Sequence, residues 1–120
     1  MAFDSHDLLM VETRDALDNC ITVGERLADG TRDPAQPGND YRVLQPWRLM
    51  DPNRNRTQVA FDTLGLVVGT AVMGKPGENQ GDSLEGFVAD LTEATILDYF
   101  TNPLTNPHAL LVRATTRMVY

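Results

Sequence analysis

Residues 57–73 read Thr-Gln-Val-Ala-Phe-Asp-Thr-Leu-Gly-Leu-Val-Val-Gly-Thr-Ala-Val-Met, and how this stretch is parsed decides the fold. Val59 and Phe61 lie on one face of an extended chain. From Leu64 onward the even positions carry the apolar set: Leu64, Leu66, Val68 and Val72. The parity slips at Asp62-Thr63, and a one-residue slip in a strand demands a bulge or a turn. Asp62-Thr63-Leu64-Gly65 also fits a type I turn, with Asp first and Gly last. The stretch is therefore one long bulged strand or a hairpin, and the bulged strand is the expectation carried forward.

Outward from this strand, the chain ahead of it begins with apolar positions at helical spacing. Leu9, Thr13, Ala16, Leu17 and Cys20 predict a helix over 4–19, with Asp4 or Ser5 as its cap and Asp7 in its first turn. Ile21-Thr22-Val23 is β-branched and predicts a short strand. Residues 29–40, rich in Pro, Gly and Asp, read as a long mobile loop. Tyr41–Leu44 reads as a strand bent at Pro46, and 50–57 as a polar turn. Trp47, the only tryptophan, belongs in a core or an interface.

Beyond the strand, 74–82 is a turn-rich connection. A helix is then expected over 83–101, capped by Asp82 with Glu85 as its capping-box partner. Leu84, Phe87, Val88, Leu91 and Thr95 form its stripe, and Asn102-Pro103 ends it. Ile96, Leu97 and Phe100 fall off that stripe and give the helix a second apolar side, a candidate subunit contact. Residues 109–119 alternate as a half-buried closing strand. The order predicts one α+β domain over 1–120, with a mixed or mainly antiparallel sheet, two helices packed on it and long loops.

The chemistry-bearing motifs are thin. Gly69–Pro76, GTAVMGKP, matches seven of eight positions of a phosphate-binding loop. Pro76 supplies neither hydroxyl nor N–H, and the next helix starts too late to face an anion. Asp4, His6 and Asp7 offer three donors on one short segment, the only support for a metal or a hydrolase; a capped helix start accounts for the same residues and is the reading carried forward. Cys20 is the only cysteine and reads as a packed thiol. Ser5 and Ser83, the only serines, stand beside helix starts, and Asp29 and Asp33 sit in a loop. No catalytic set, cofactor site or metal site is expected.

A net charge of -7 disfavours binding to DNA or an anionic membrane face. The one basic cluster, Arg48, Arg54 and Arg56, reads as a solvated loop. The basic residues are nine Arg against one Lys, Lys75, and Asp outnumbers Glu. No apolar run is long enough for a transmembrane helix, and the N-terminal stretch lacks the basic and apolar regions of a secretory signal.

The predicted element order, and the stretch RNRTQVAFDTLGLVVGTAV within 54–72, resemble the tail-terminator and neck proteins of tailed viruses. That resemblance covers nearly the whole chain and rests on element order alone, so no functional residues transfer. It implies a non-enzymatic virion protein, assembled in the host cytoplasm. Such a protein would form a ring, typically a hexamer, that caps the tail tube, meets the head-closure ring and lets DNA pass through its lumen. Ile96, Leu97, Phe100 and Trp47 are then candidate subunit contacts, and Arg32, Asp33, Lys75 and Glu78 candidate contacts to adjoining rings. The alternative is a small cytosolic protein-binding or regulatory module.

Overall fold

The computed structural model describes residues 1–120. Its strands are β1 (Ala2–Phe3), β2 (Met10–Arg14), β3 (Cys20–Val23), β4 (Asn39–Asp40), β5 (Gln45–Pro46), β6 (Arg48–Met50), β7 (Arg56–Phe61) and β8 (Val67–Met73); then come α1 (Glu93–Thr101), α2 (Pro107–Leu111) and β9 (Thr116–Arg117). Seven strands form one sheet in the order β1-β2-β3-β6-β7-β8-β9, and β4 and β5 form a separate ribbon. Every pair is antiparallel. The class is the α+β one expected, with a mainly antiparallel sheet and two short helices.

One turn occurs four times and makes the meander. It starts at Asp4, Asp15, Asp51 and Asp62. In each, the Asp carbonyl accepts the N–H three residues on, from Asp7, Asp18, Arg54 and Gly65, at 3.0–3.1 Å. Those third residues are left-handed, with φ of 52°, 64°, 69° and 83°. Each carboxylate accepts the N–H four residues on, from Leu8, Asn19, Asn55 and Leu66, at 2.8–2.9 Å. Three of them also accept the N–H two residues on, from His6, Leu17 and Leu64. This is a type I turn followed by a left-handed residue, a common short hairpin loop. The carboxylate supplies the acceptor that orphaned turn N–H groups need.

Turn chemistry of this kind corrects three expectations. The stretch 4–19 is no helix: Asp4 and Asp15 capture local N–H groups and turn the chain into strands β1, β2 and β3. The apparent helical spacing of Leu9, Thr13 and Leu17 is i,i+4, which shares a face in a strand as well. The stretch 57–73 is a hairpin, not one bulged strand; the parity slip at Asp62 is the turn, with a register shift between Ala60 and Phe61 beside it. Tyr41–Leu44 is the turn of the β4–β5 ribbon, because the Asp40 carboxylate takes the Arg42 N–H at 2.9 Å and Leu44 is left-handed at φ 54°.

The C-terminal elements are shorter than expected. Residues 83–92 are not helical: the Ser83 hydroxyl accepts the Glu85 N–H, a local turn that competes with a helix start. Phe87 is held over Gly69, where a Cβ would stand 2.4 Å from its ring. The helix cap is Thr92, which accepts from Thr95 N, not Asp82. The expected strand over 109–119 is split into α2 and β9. Pro107 starts α2 where its missing N–H costs nothing, and Val112, at φ 56°, ends it.

Loop 29–40 is strapped to the sheet rather than loose. Glu25 and Gln36 pair through N–H to carbonyl at 3.1 Å, Asp33 donates to the Glu25 carbonyl at 2.8 Å, and Trp47 donates to the Gly38 carbonyl at 2.7 Å. Gly24 and Gly38 pass so closely that a Cβ on Gly38 would lie 2.1 Å from Gly24 N. The best-buried side chains, Thr22, Val23 and Met50, lie on the paired strands β3 and β6 in the middle of the sheet.

Substitution should separate the two parts of the repeated turn. Asp62→Ala removes both carboxylate bonds and is expected to cost about 1–2 kcal/mol in urea unfolding. Asp7→Gly relieves a left-handed non-glycine and is expected to stabilise by up to about 1 kcal/mol. No loss for the first would show that the carboxylate is incidental to the turn.

Candidate functional site

Exposed apolar side chains are spread along the chain, and three of them, Leu97, Phe100 and Leu104, lie on α1 or just beyond it. No residue of this nine-residue helix is buried. A helix so short is marginal in water and draws its stability from packing. Leu97 and Phe100 are more than half exposed, and Leu104, just beyond, is 90% exposed. Ile96 turns the other way. It lines a groove of about 230 Å³ with Leu64, Leu66, Leu91, Met118 and Tyr120, rimmed by Asp62 and Asp90. The Asp90 carboxylate holds the Thr63 N–H and hydroxyl at 2.9 and 2.7 Å, which fastens the β7–β8 tip over this groove. On the far side, Phe87 is capped by the Arg117 guanidinium 4.3 Å from its centroid. Arg117 also donates to the Leu110 and Val88 carbonyls, tying β9 to α2 and to the segment before α1.

The three residues expected to act together are thus divided. Leu97 and Phe100 face outward, and Ile96 packs within the chain. Trp47 lies elsewhere. It precedes β6, two strands removed from β8, half-buried, with the Arg48 guanidinium 4.6 Å from its ring.

Of the expected loop contacts, two have internal work. Asp33 accepts the Ala35 N–H and shapes the strap. Glu78 accepts the Lys75 N–H and closes the 74–81 turn. Arg32 is half-buried opposite Arg26. Lys75 is exposed.

The basic cluster is a structural hub. Glu25 Oε1 accepts Arg48 at 2.7 Å and Arg56 at 3.4 Å, and all three side chains are at most 15% exposed. Arg48 also donates to Gln36 Oε1 at 2.7 Å, and Arg56 to the Gly74 and Lys75 carbonyls at 3.0 and 3.2 Å. One carboxylate thereby joins the strap, β6, β7 and the 74–81 connection. Arg26, buried beside it, is satisfied by Thr22 Oγ1 and the Met50 and Asp51 carbonyls. Sequence reasoning placed Arg48, Arg54 and Arg56 on a solvated loop because Glu25 is distant in the chain. The register Arg48↔Gln58 and Met50↔Arg56 brings Arg48 and Arg56 to one face.

The remaining motifs are absorbed locally. Asp4 accepts the Tyr41 hydroxyl at 2.5 Å as well as its turn N–H groups. Gly69–Met73 lies within strand β8, and its Val72 N–H is held by the Thr115 hydroxyl at 2.8 Å. Cys20 is a buried free thiol. The chain matches no protein-family model, and no curated protein is significantly similar to it.

The Tyr41 hydroxyl, followed by the Leu8 N–H, holds Asp4 down to about 2 from an ordinary 3.8. Asp15 and Asp90 are lowered too, chiefly by Asn19 and Thr63. A depressed carboxylate stabilises the fold above its unfolded value and loses that contribution as pH falls through the folded one. Stability should therefore decline as pH drops from about 4 toward 2, and Tyr41→Phe should raise the Asp4 midpoint in a carboxyl NMR titration. Glu25→Gln leaves two enclosed guanidiniums without their anion and should cost about 3 kcal/mol in urea unfolding; a loss below about 1 kcal/mol would mean water already carries them.

Proposed function

We propose that this chain is a non-enzymatic structural subunit of a homo-oligomer, and that its setting is the head–tail junction of a tailed virus, in a tail-terminator or neck ring. Surface area carries the self-association. The chain exposes 7702 Å², whereas a folded monomer of its mass exposes about 6,500 Å². The excess of about 1,200 Å² exceeds the ~800 Å² that each partner gives to a standard interface. The shape agrees: the radius of gyration is 16.3 Å against about 14 Å for a compact chain of this length. Leu97, Phe100 and Leu104 are the surface we assign to the contact.

The sheet suits a head-to-tail contact. β1 forms one edge and β9 the other, and Phe3 and Leu8 are exposed at the β1 end while the α1 surface follows β8. Two different patches at opposite edges can join copies into a closed ring. Support for the viral setting comes from the C-terminal half, where paired strands, a helix and a two-residue closing strand follow the order that the resemblance implies, with α2 inserted before that strand. The N-terminal hairpins, standing where a helix was expected, lend it nothing.

Light scattering and native mass spectrometry of the purified chain should find a discrete oligomer. Leu97→Glu with Phe100→Glu, both at exposed positions, should leave a folded monomer. A wild-type monomer at high micromolar concentration would overturn the ring and favour the protein-binding module. Portal, capsid and tail genes beside its own would support the setting; their absence would count against it.

A further inference from the structure

Trp47 borders a second surface, and it has the chemistry of a ligand site. An open cleft of about 400 Å³ is lined by Asn39, Asp40, Tyr41, Arg42, Trp47 and Phe61, with Val59 as part of its floor. Its volume falls within the ~300–1,000 Å³ of small-molecule sites. Three aromatic rings share it with three planar polar groups: a carboxylate, an amide and a guanidinium.

The polar groups are held in place and still have bonding capacity. Arg42 Nη1 donates to the Asp62 and Thr63 carbonyls at 2.8 and 3.3 Å, which fixes the guanidinium. Its Nη2 has only a 3.8 Å contact to Asp40 Oδ2. Asp40 uses Oδ1 on the Arg42 N–H and leaves Oδ2 without a close donor. Asn39 Oδ1 is buried without a partner. Tyr41 is positioned by its bond to Asp4, and the Trp47 indole by the Arg48 guanidinium. A site whose groups are already ordered spends little binding energy on ordering them.

The backbone narrows the occupant. Trp47 N donates to the Gly38 carbonyl, Trp47 O accepts from Val59 N, and β4 and β5 pair with each other at Asn39↔Pro46 and Asp40↔Gln45. A peptide entering as an added strand beside Trp47 would find its N–H and carbonyl already taken. A polyanion would meet a chain of net charge -7. A pyranose has a C–H face that packs on an aromatic ring and a rim of hydroxyls that both donate and accept. The Asp40 carboxylate accepts from such hydroxyls, and the Arg42 guanidinium donates to them. We infer that the cleft bounded by Tyr41, Trp47 and Asp40 binds a neutral saccharide. This inference does not depend on the oligomer, since the cleft and the α1 surface share no residue.

Trp47 is the only tryptophan, so its emission reports the cleft directly. The full-length chain is titrated with glucose, galactose, N-acetylglucosamine and their β-linked disaccharides. At least one should give a saturable change, with a dissociation constant on the order of 1 mM. Asp40→Ala should weaken it at least ten-fold with the circular dichroism spectrum unchanged. Leu97→Glu should leave it as in wild type. The inference is overturned if none of these sugars alters the emission at tens of millimolar, if Asp40→Ala binds as wild type does, or if a proline-rich peptide gives the saturable change and the sugars do not.

Discussion

A short carboxylate at the head of a tight turn is the interaction on which this meander depends. Asp4, Asp15, Asp51 and Asp62 each hold the N–H four residues on. Those turns reverse the chain between β1 and β2, β2 and β3, β6 and β7, and β7 and β8. Asp serves here and Glu does not, because the shorter side chain reaches its own backbone without spanning extra bonds. The same habit recurs in the loops, where Asp29, Asp33 and Asp40 hold the N–H two residues on. The excess of Asp over Glu thus has a structural use, whatever else shaped the composition.

Turns alone give a ladder without a centre, and Glu25 supplies one. Its carboxylate draws together two arginines from adjacent strands, and through them the 29–40 strap and the 74–81 connection. The core around it is small: only 14 of 120 residues are buried, three of them Thr22, Glu25 and Arg26. An ion pair of this kind contributes less than its Coulomb energy suggests, because desolvation offsets much of it. What it contributes is geometry, since each guanidinium is directed by several acceptors at once.

A thin core leaves much apolar surface uncovered, and that surface has two characters. On α1 it consists of the exposed aliphatic and aromatic side chains of Leu97 and Phe100, which suits protein contact. Around Trp47 it is concave and mixed with fixed polar side chains, which suits a small ligand. The two lie on different parts of the sheet, so one chain can serve both without competition between them.

Several features were legible in the sequence. The α+β class, the strand at Ile21–Val23, the strand that ends at Met73 within GTAVMGKP and the turn-rich 74–82 connection all follow from local chemistry. The turn at Asp62–Gly65, where glycine marks the left-handed position, is visible in the sequence only as the alternative to a bulged strand. At Arg54 the same position carries no glycine, yet its Pro and Asn neighbours mark the turn. At Asp7 and Asp18 it carries none either, and there the N-terminal hairpin reads as a helix. Spacing of four residues cannot separate the two, because it returns to the same face in both. Tertiary structure decided what local rules leave open. Glu25 meets Arg48 and Arg56 only after strands distant in sequence pair. Phe87 becomes a lid on Gly69 instead of a helix-face residue. Ile96 parts from Leu97 and Phe100 because the β7–β8 tip covers one side of α1 and not the other. Local turn chemistry is short-ranged and can be read from neighbours; burial and charge pairing depend on which strands lie side by side, and that is set by the whole chain.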